Sequence, residues 1–167
     1  MNEVLKVSRS TGFIARLEKL DAGDRAKLKR NAGKTIAEAH EVMGFFYGLL
    51  PPGVSQYHEE VYFLLATLFP LAASGGKGDF GNHLRVAQNS QNSKGLDRRV
   101  EVLLDADLNQ LHFRLRQAVH FLQSCRVHVN WVQLLEDLLQ WSHPDRFVQQ
   151  RWARSYFGTL SDNQKKE

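Results

Sequence analysis

Apolar residues in this 167-residue chain recur at spacings of three and four from Phe13 to Tyr156, and nowhere alternate long enough to build a strand. Spacing of three and four puts side chains on one stripe of an α-helix, whereas a half-buried strand needs a spacing of two. The chain is therefore expected to be all-α, a compact bundle of roughly eight to nine helices in two packed lobes. Arg126 to Asn130, with Val127 and Val129, does alternate, but it is long enough only for an extended connector.

The breaks in the pattern give the organisation. Phe13, Ile14, Leu17 and Leu20 make a first stripe; Gly23 breaks it and Asp24 caps a segment from Arg25 to Arg30. Thr35 opens a longer helix through Ile36, Val42, Phe46 and Leu50, stopped by Pro51-Pro52-Gly53. Ser55 caps a helix carrying Val61, Leu64, Leu65 and Leu68, kinked at its end by Pro70. Gly75, Gly76, Gly78 and Gly81 form a loop, followed by a short helix at Leu84 to Ala87 and a polar tract, Gln88 to Ser93. That tract packs nothing and separates an N-terminal lobe at about 10–92 from a C-terminal lobe at about 93–160, within one module. Stripes at Leu96 to Leu104, Leu108 to Leu122, Trp131 to Trp141 and Val148 to Tyr156 make the second lobe. Residues 161–167 lack apolar side chains and should fray.

Charge is where function becomes legible. Lys and Arg number 22 against 18 Asp and Glu, a net charge of +4, so placement matters more than the total. Between Leu108 and Leu135 there is no carboxylate, yet Arg114, Arg116 and Arg126 lie there with His112, His120 and His128. Cations on a rigid helix with little local neutralisation suit a polyanion, and nucleic acid is the expected partner. A lone cysteine, Cys125, forms no internal disulfide and no cysteine-rich metal centre, which fits a reducing cytoplasm. Glu3, Lys6 and Arg9 leave no room for a signal peptide, and Val61 to Ala73, broken by Thr67 and Pro70, is too short to span a bilayer.

Several motif fragments each lack a required partner. Gly76-Lys77-Gly78-Asp79-Phe80-Gly81 has the letters of a dinucleotide loop but follows a helix, not a strand. Gly33-Lys34-Thr35 resembles the end of a phosphate-binding loop whose first glycine would fall on Leu28. His40-Glu41 and His58-Glu59 place Gly44 and Tyr62 where a zinc protease needs its second histidine. His112, Arg116 and His120 share a helical strip that reads as a solvated polar flank. Cys125 reads as a small core residue, and Trp131, Trp141 and Trp152, among leucines at helical spacing, as core aromatics. Nothing argues for an enzyme, a cofactor or a metal.

Four basic clusters remain. Arg25, Lys27, Lys29, Arg30 and Lys34 surround a helix with only Asp24 among them. Lys94 and Arg98 share a strip with Glu101 and Asp105, while Arg99 has no acid on its own face. Arg114 and Arg116 flank Leu115 on opposite sides. Arg146, Arg151 and Arg154 sit on the last helix, where the latter two can compensate its dipole. Candidates resting on local charge alone are Lys27, Arg114, Arg126 and Arg146.

The run Leu20 to Arg30, then Leu65-Ala66-Thr67-Leu68-Phe69, Asp97-Arg98-Arg99 with Leu103-Leu104, Leu115-Arg116, Asn130-Trp131 and Asp137-Leu138-Leu139-Gln140-Trp141 resemble the CasB family, small subunits of the type I-E CRISPR Cascade, from about Phe13 to Phe157. The resemblance implies an all-helical, non-catalytic protein present in two copies in an RNA-guided complex, beside other Cascade subunits. Such proteins help hold the R-loop, meeting the backbones of guide RNA, target DNA and displaced strand, while base pairing supplies sequence specificity. It implies backbone-binding roles for Lys29, Arg30, Arg98, Arg99 and Arg116; Asp105 and Asp107 interrupt a continuous basic path beyond the Arg99 helix. Two other readings are a helix-turn-helix regulator, with Asn109 and Gln110 opening its recognition helix, and an adaptor whose charges serve solubility.

Overall fold

The computed structural model describes residues 2–91 and 94–158. Among them are nine α-helices: α1 (Asn2–Glu18), α2 (Ala22–Arg30), α3 (Met43–Leu49), α4 (Gln56–Leu68), α5 (Phe80–Gln91), α6 (Leu96–Asp105), α7 (Leu108–Ser124), α8 (Trp131–Leu139) and α9 (Phe147–Phe157). No strand occurs among the described residues. The alternating connector instead makes a single isolated bridge, Ser74 to Val129, and the Val129 N–H donates to the Ala73 carbonyl at 2.8 Å.

α4 is the centre of the bundle. Its residues Val61 to Leu68 are all buried, the signature of a helix enclosed on every side, and α2, α7 and α8 pack around it. The Pro70 expectation holds as a 3-10 turn, Phe69–Leu71, closing the helix. α7 follows its sequence pattern closely: Leu111, Leu115, Val119 and Leu122 are fully buried, each worth roughly 1.5–3 kcal/mol. A capping box starts it, with the Gln110 N–H donating to Asp107 Oδ1 (2.8 Å) and the Asp107 N–H to Gln110 Oε1 (3.0 Å).

Three local expectations are corrected. The cap of α2 is Asp21, which accepts from the Asp24 N–H at 2.8 Å, so Gly23 lies inside the first turn instead of ending the preceding helix. The long helix from Thr35 is two 3-10 turns, Ile36–Glu38 and His40–Val42, before α3 begins at Met43. There the Ile36 N–H, which has no acceptor within the turn, donates to the Glu60 carboxylate and ties the start of the segment to α4. The short helix at Leu84 to Ala87 is the middle of α5, which extends into the polar tract as far as Gln91, with Gln88 half-buried. The expected fraying of 161–167 lies outside the described residues.

The apolar core is continuous from Phe13 to Tyr156. Across the expected lobe boundary, α5 packs on α9, and α1 and α4 pack on α8. The α5–α9 contact is close enough to explain Gly81: a Cβ there would sit 2.3 Å from the Trp152 carbonyl oxygen. Gly76 is explained likewise by the His128 carbonyl oxygen at the same separation. Two of the three glycines of the apparent dinucleotide loop thus serve packing.

Candidate nucleic-acid interface

The loop after α2 lies against α7 at Gly33, and this brings cations of distant segments together. Arg116 passes beside Gly33, whose missing Cβ would lie 3.0 Å from Arg116 Cδ, and Gly33 itself adopts φ +84°. Exposed His120, one turn on, has its pKa lowered below the ordinary histidine value, by partial burial first and then by the Arg116 and Lys29 charges. Neither Lys29 nor Arg116 pairs with a carboxylate among the described residues. Both are exposed. The other side of α2 is partly neutralised: Arg30 bonds Glu41 at 2.6 Å, and Lys34 and Lys27 add to the field that holds the Glu41 carboxyl below its usual range, Arg30 being the largest cause. One carboxylate thus faces three cations.

A second basic region lies between α6 and α7. Arg98 meets Glu101 at 3.5 Å, Arg99 lies over the Phe121 ring (4.9 Å to the centroid) and Arg114 over Phe113 (5.5 Å). These three line an apolar hollow, so Arg114 and Arg116, neighbours in sequence, serve different surfaces, as their opposite flanking of Leu115 requires.

The remaining candidates separate from both. Arg126 is exposed at the C-terminal end of α7, in the left-handed region (φ 58°), bordering a groove of about 650 Å³ with Arg25 and His128. Arg25 is held there by the Leu20 and Glu18 carbonyls at 3.2 and 2.8 Å. Arg146, also left-handed (φ 52°), donates to the Leu104 carbonyl at the end of α6. Arg151 reaches Asp79 at 3.5 Å and bonds Asp137 closely, and Asp137 also accepts from Trp152 Nε1 at 2.8 Å. Trp131, Trp141 and Trp152 are core residues, as expected. Cys125 packs half-buried against the core. Among the described residues no cluster of His, Cys, Asp or Glu could hold a metal ion.

Residues 24–157 match the family model described as CRISPR-associated protein Cse2. The chain belongs to this family. A Cse2 protein of Thermus thermophilus is 37% identical over 114 residues, 67% of this chain and 64% of the relative, so the aligned part spans less than two thirds of that protein's own length. The crystal structure of M. ruber CasB superposes with a TM-score of 0.79 at 28% identity, covering 96% of this chain and 99% of that one. A chain of a solved CRISPR RNA-guided surveillance complex shares the fold, with a TM-score of 0.76 at 22% identity, covering 96% and 98%. The CasB resemblance and the all-helical fold read from sequence are thereby established.

Within the family fold, sequence reasoning left the tertiary partners of two residues, Glu41 and His120, unread, while Lys34 was already placed in the first basic cluster. Glu41 appeared only as half of a failed zinc motif, and its pairing with Arg30 spans eleven residues. His120 was placed on a polar flank beside Arg116 but without Lys29, which comes from α2. Lys34, whose Nζ donates to Asn31 Oδ1 at 3.3 Å, joins the α2 side. His112, on the same strip, is half-buried and turned toward Glu60 at 3.8 Å, apart from His120.

Proposed function

We propose that this protein is the non-catalytic small subunit of an RNA-guided CRISPR complex, and that its α2–α7 face holds nucleic-acid backbones to stabilise the R-loop. The observation that carries the reading is the convergence of Lys29 and Arg116 on His120 without a neutralising carboxylate. Uncompensated, exposed cations on rigid helices gain most from phosphates, through counterion release. Lys27, Arg30 and Lys34 add positive charge on the other side of α2, partly neutralised by Glu41, and Arg126 adds a further cation at the far end of α7. Membership in the Cse2 family supports the wider setting: other complex subunits, guide RNA, target and displaced DNA strands, and a second copy of the chain, in the cytoplasm.

A sequence-reading regulator fits less well. Gln110, needed at a recognition-helix N-terminus, is tied back to Asp107 in the capping box. Among the described residues no helix is long and apolar enough to cross a membrane. The test is a competition titration with unrelated duplexes and single strands: the isolated chain binds them weakly, without sequence preference and with steep salt dependence. A preference above about a hundredfold for one duplex sequence would refute backbone binding.

A further inference from the structure

The hollow ringed by Arg98, Arg99 and Arg114 has a volume of about 90 Å³. Its walls are apolar, with Leu84 from α5, Leu96 and Leu103 from α6, and Ala118 and Phe121 from α7. None of its lining residues is a carboxylate. Next to it Phe113, under the Arg114 guanidinium, is 56% exposed. The hollow and the Phe113 ring together offer a partner an apolar seat with a basic rim.

Volume and charge together select the occupant. A phosphate backbone gains nothing from an apolar floor. A nucleobase is flat and stacks on open aromatic faces, whereas this hollow is floored mainly by Leu84, Leu96, Val100, Leu103 and Ala118, which suit an aliphatic side chain. The space here suits one aliphatic side chain. Three guanidiniums around it then favour carboxylates beside that side chain, since Arg forms its strongest bonds with planar anions. Glu101, the intramolecular partner of Arg98, is exposed and 3.5 Å away, so an incoming carboxylate displaces it with little loss.

We infer that the α6–α7 groove docks an acidic amphipathic segment of a partner protein, one Leu, Ile or Met seated in the hollow and flanking Asp or Glu on Arg98, Arg99 and Arg114. This assigns those three arginines to protein recognition. It uses none of the side chains of the α2–α7 face and stands independently of what that face binds.

The probe is a fluorescein-labelled helical peptide of about 14 residues, with leucines four apart flanked by glutamates, titrated into the full chain by anisotropy. The peptide binds, and its Leu→Ser counterpart binds about tenfold or more weakly, a loss of about 1.4 kcal/mol. Ala118→Met, which fills the hollow, weakens the peptide about tenfold while oligothymidine binding is unchanged. Arg98→Glu with Arg114→Glu, both at exposed positions, abolishes peptide binding at an unchanged melting temperature and serves alone if Ala118→Met fails to fold. Equal binding of the Leu and Ser peptides overturns the inference. So does oligothymidine that loses affinity with Ala118→Met as the peptide does, which would make the groove a nucleic-acid site. A concentration-dependent dimer that Ala118→Met disperses overturns it too, because the occupant would then be a second copy.

Discussion

The α8–α9 end and the α2–α7 face are both rich in arginine, but their arginines meet opposite surroundings. At the α8–α9 end, Arg151 lies between two buried carboxylates, Asp79 and Asp137, and Arg146 closes the end of α6 through the Leu104 carbonyl. On the α2–α7 face, Lys29 and Arg116 bear on the His120 ring, whose protonation they disfavour, and meet no acid among the described residues. A cation fixed by a buried acid belongs to the fold, whereas one with no acid beside it leaves its charge for a partner.

The largest effect that can break this contrast lies in the buried network. Asp137→Ala strands Arg151 and the Trp152 Nε1–H, which bridge α8 and α9, and should cost about 3–5 kcal/mol in urea denaturation. A loss below about 1 kcal/mol would show that the network is not structural. Arg146→Ala should cost about 1 kcal/mol through the lost bond to Leu104. Arg146→Gly should cost less than Arg146→Ala, because glycine adopts φ 52° without strain.

A smaller effect is expected with pH. His83, buried and with no partner in hydrogen-bond geometry although the Lys77 backbone is near, and His120 both have lowered pKa values, burial being the first cause in each. The unfolded chain therefore binds more protons than the native one below about the ordinary histidine pKa of 6.5. Stability is full above that pH and falls as pH drops from there through the native values. Arg116→Ala should raise the His120 pKa in an NMR titration, and bound oligonucleotide should raise it further. An unchanged value in both would mean that Arg116 does not act on this ring.

How much could be read in advance followed sequence distance. α4 and α7 were legible because burial is written in their own periodicity: Val61 to Leu68, and Leu111 through Leu122. The segment from Thr35 to Val42 was not: its apolar spacing reads as one helix, but it forms two 3-10 turns whose start is held by Glu60 of another helix. The same limit governed the arginines. Glu101, three residues from Arg98, was visible as its partner, but Asp79, seventy-two residues before Arg151, was not, nor was the apolar floor beneath Arg99 and Arg114. Family resemblance ranked Lys29, Arg30 and Arg116 above Lys27 and Arg146. Helical spacing set Arg114 and Arg116 on opposite flanks of Leu115, but it left open which side chains of α2 and α6 each one joins.

The comparison is tested most directly by measuring salt-dependent oligonucleotide binding and urea stability together for Arg116→Ala and Arg146→Ala. The account predicts that Arg116→Ala lowers the slope of log affinity against log salt by about one, with under about 0.5 kcal/mol of stability change. Arg146→Ala lowers stability and leaves the slope as it was. If Arg116→Ala destabilises the fold with the slope intact while Arg146→Ala reduces the slope, the α2–α7 face is structural and the assignment of its cations to nucleic-acid backbone is contradicted.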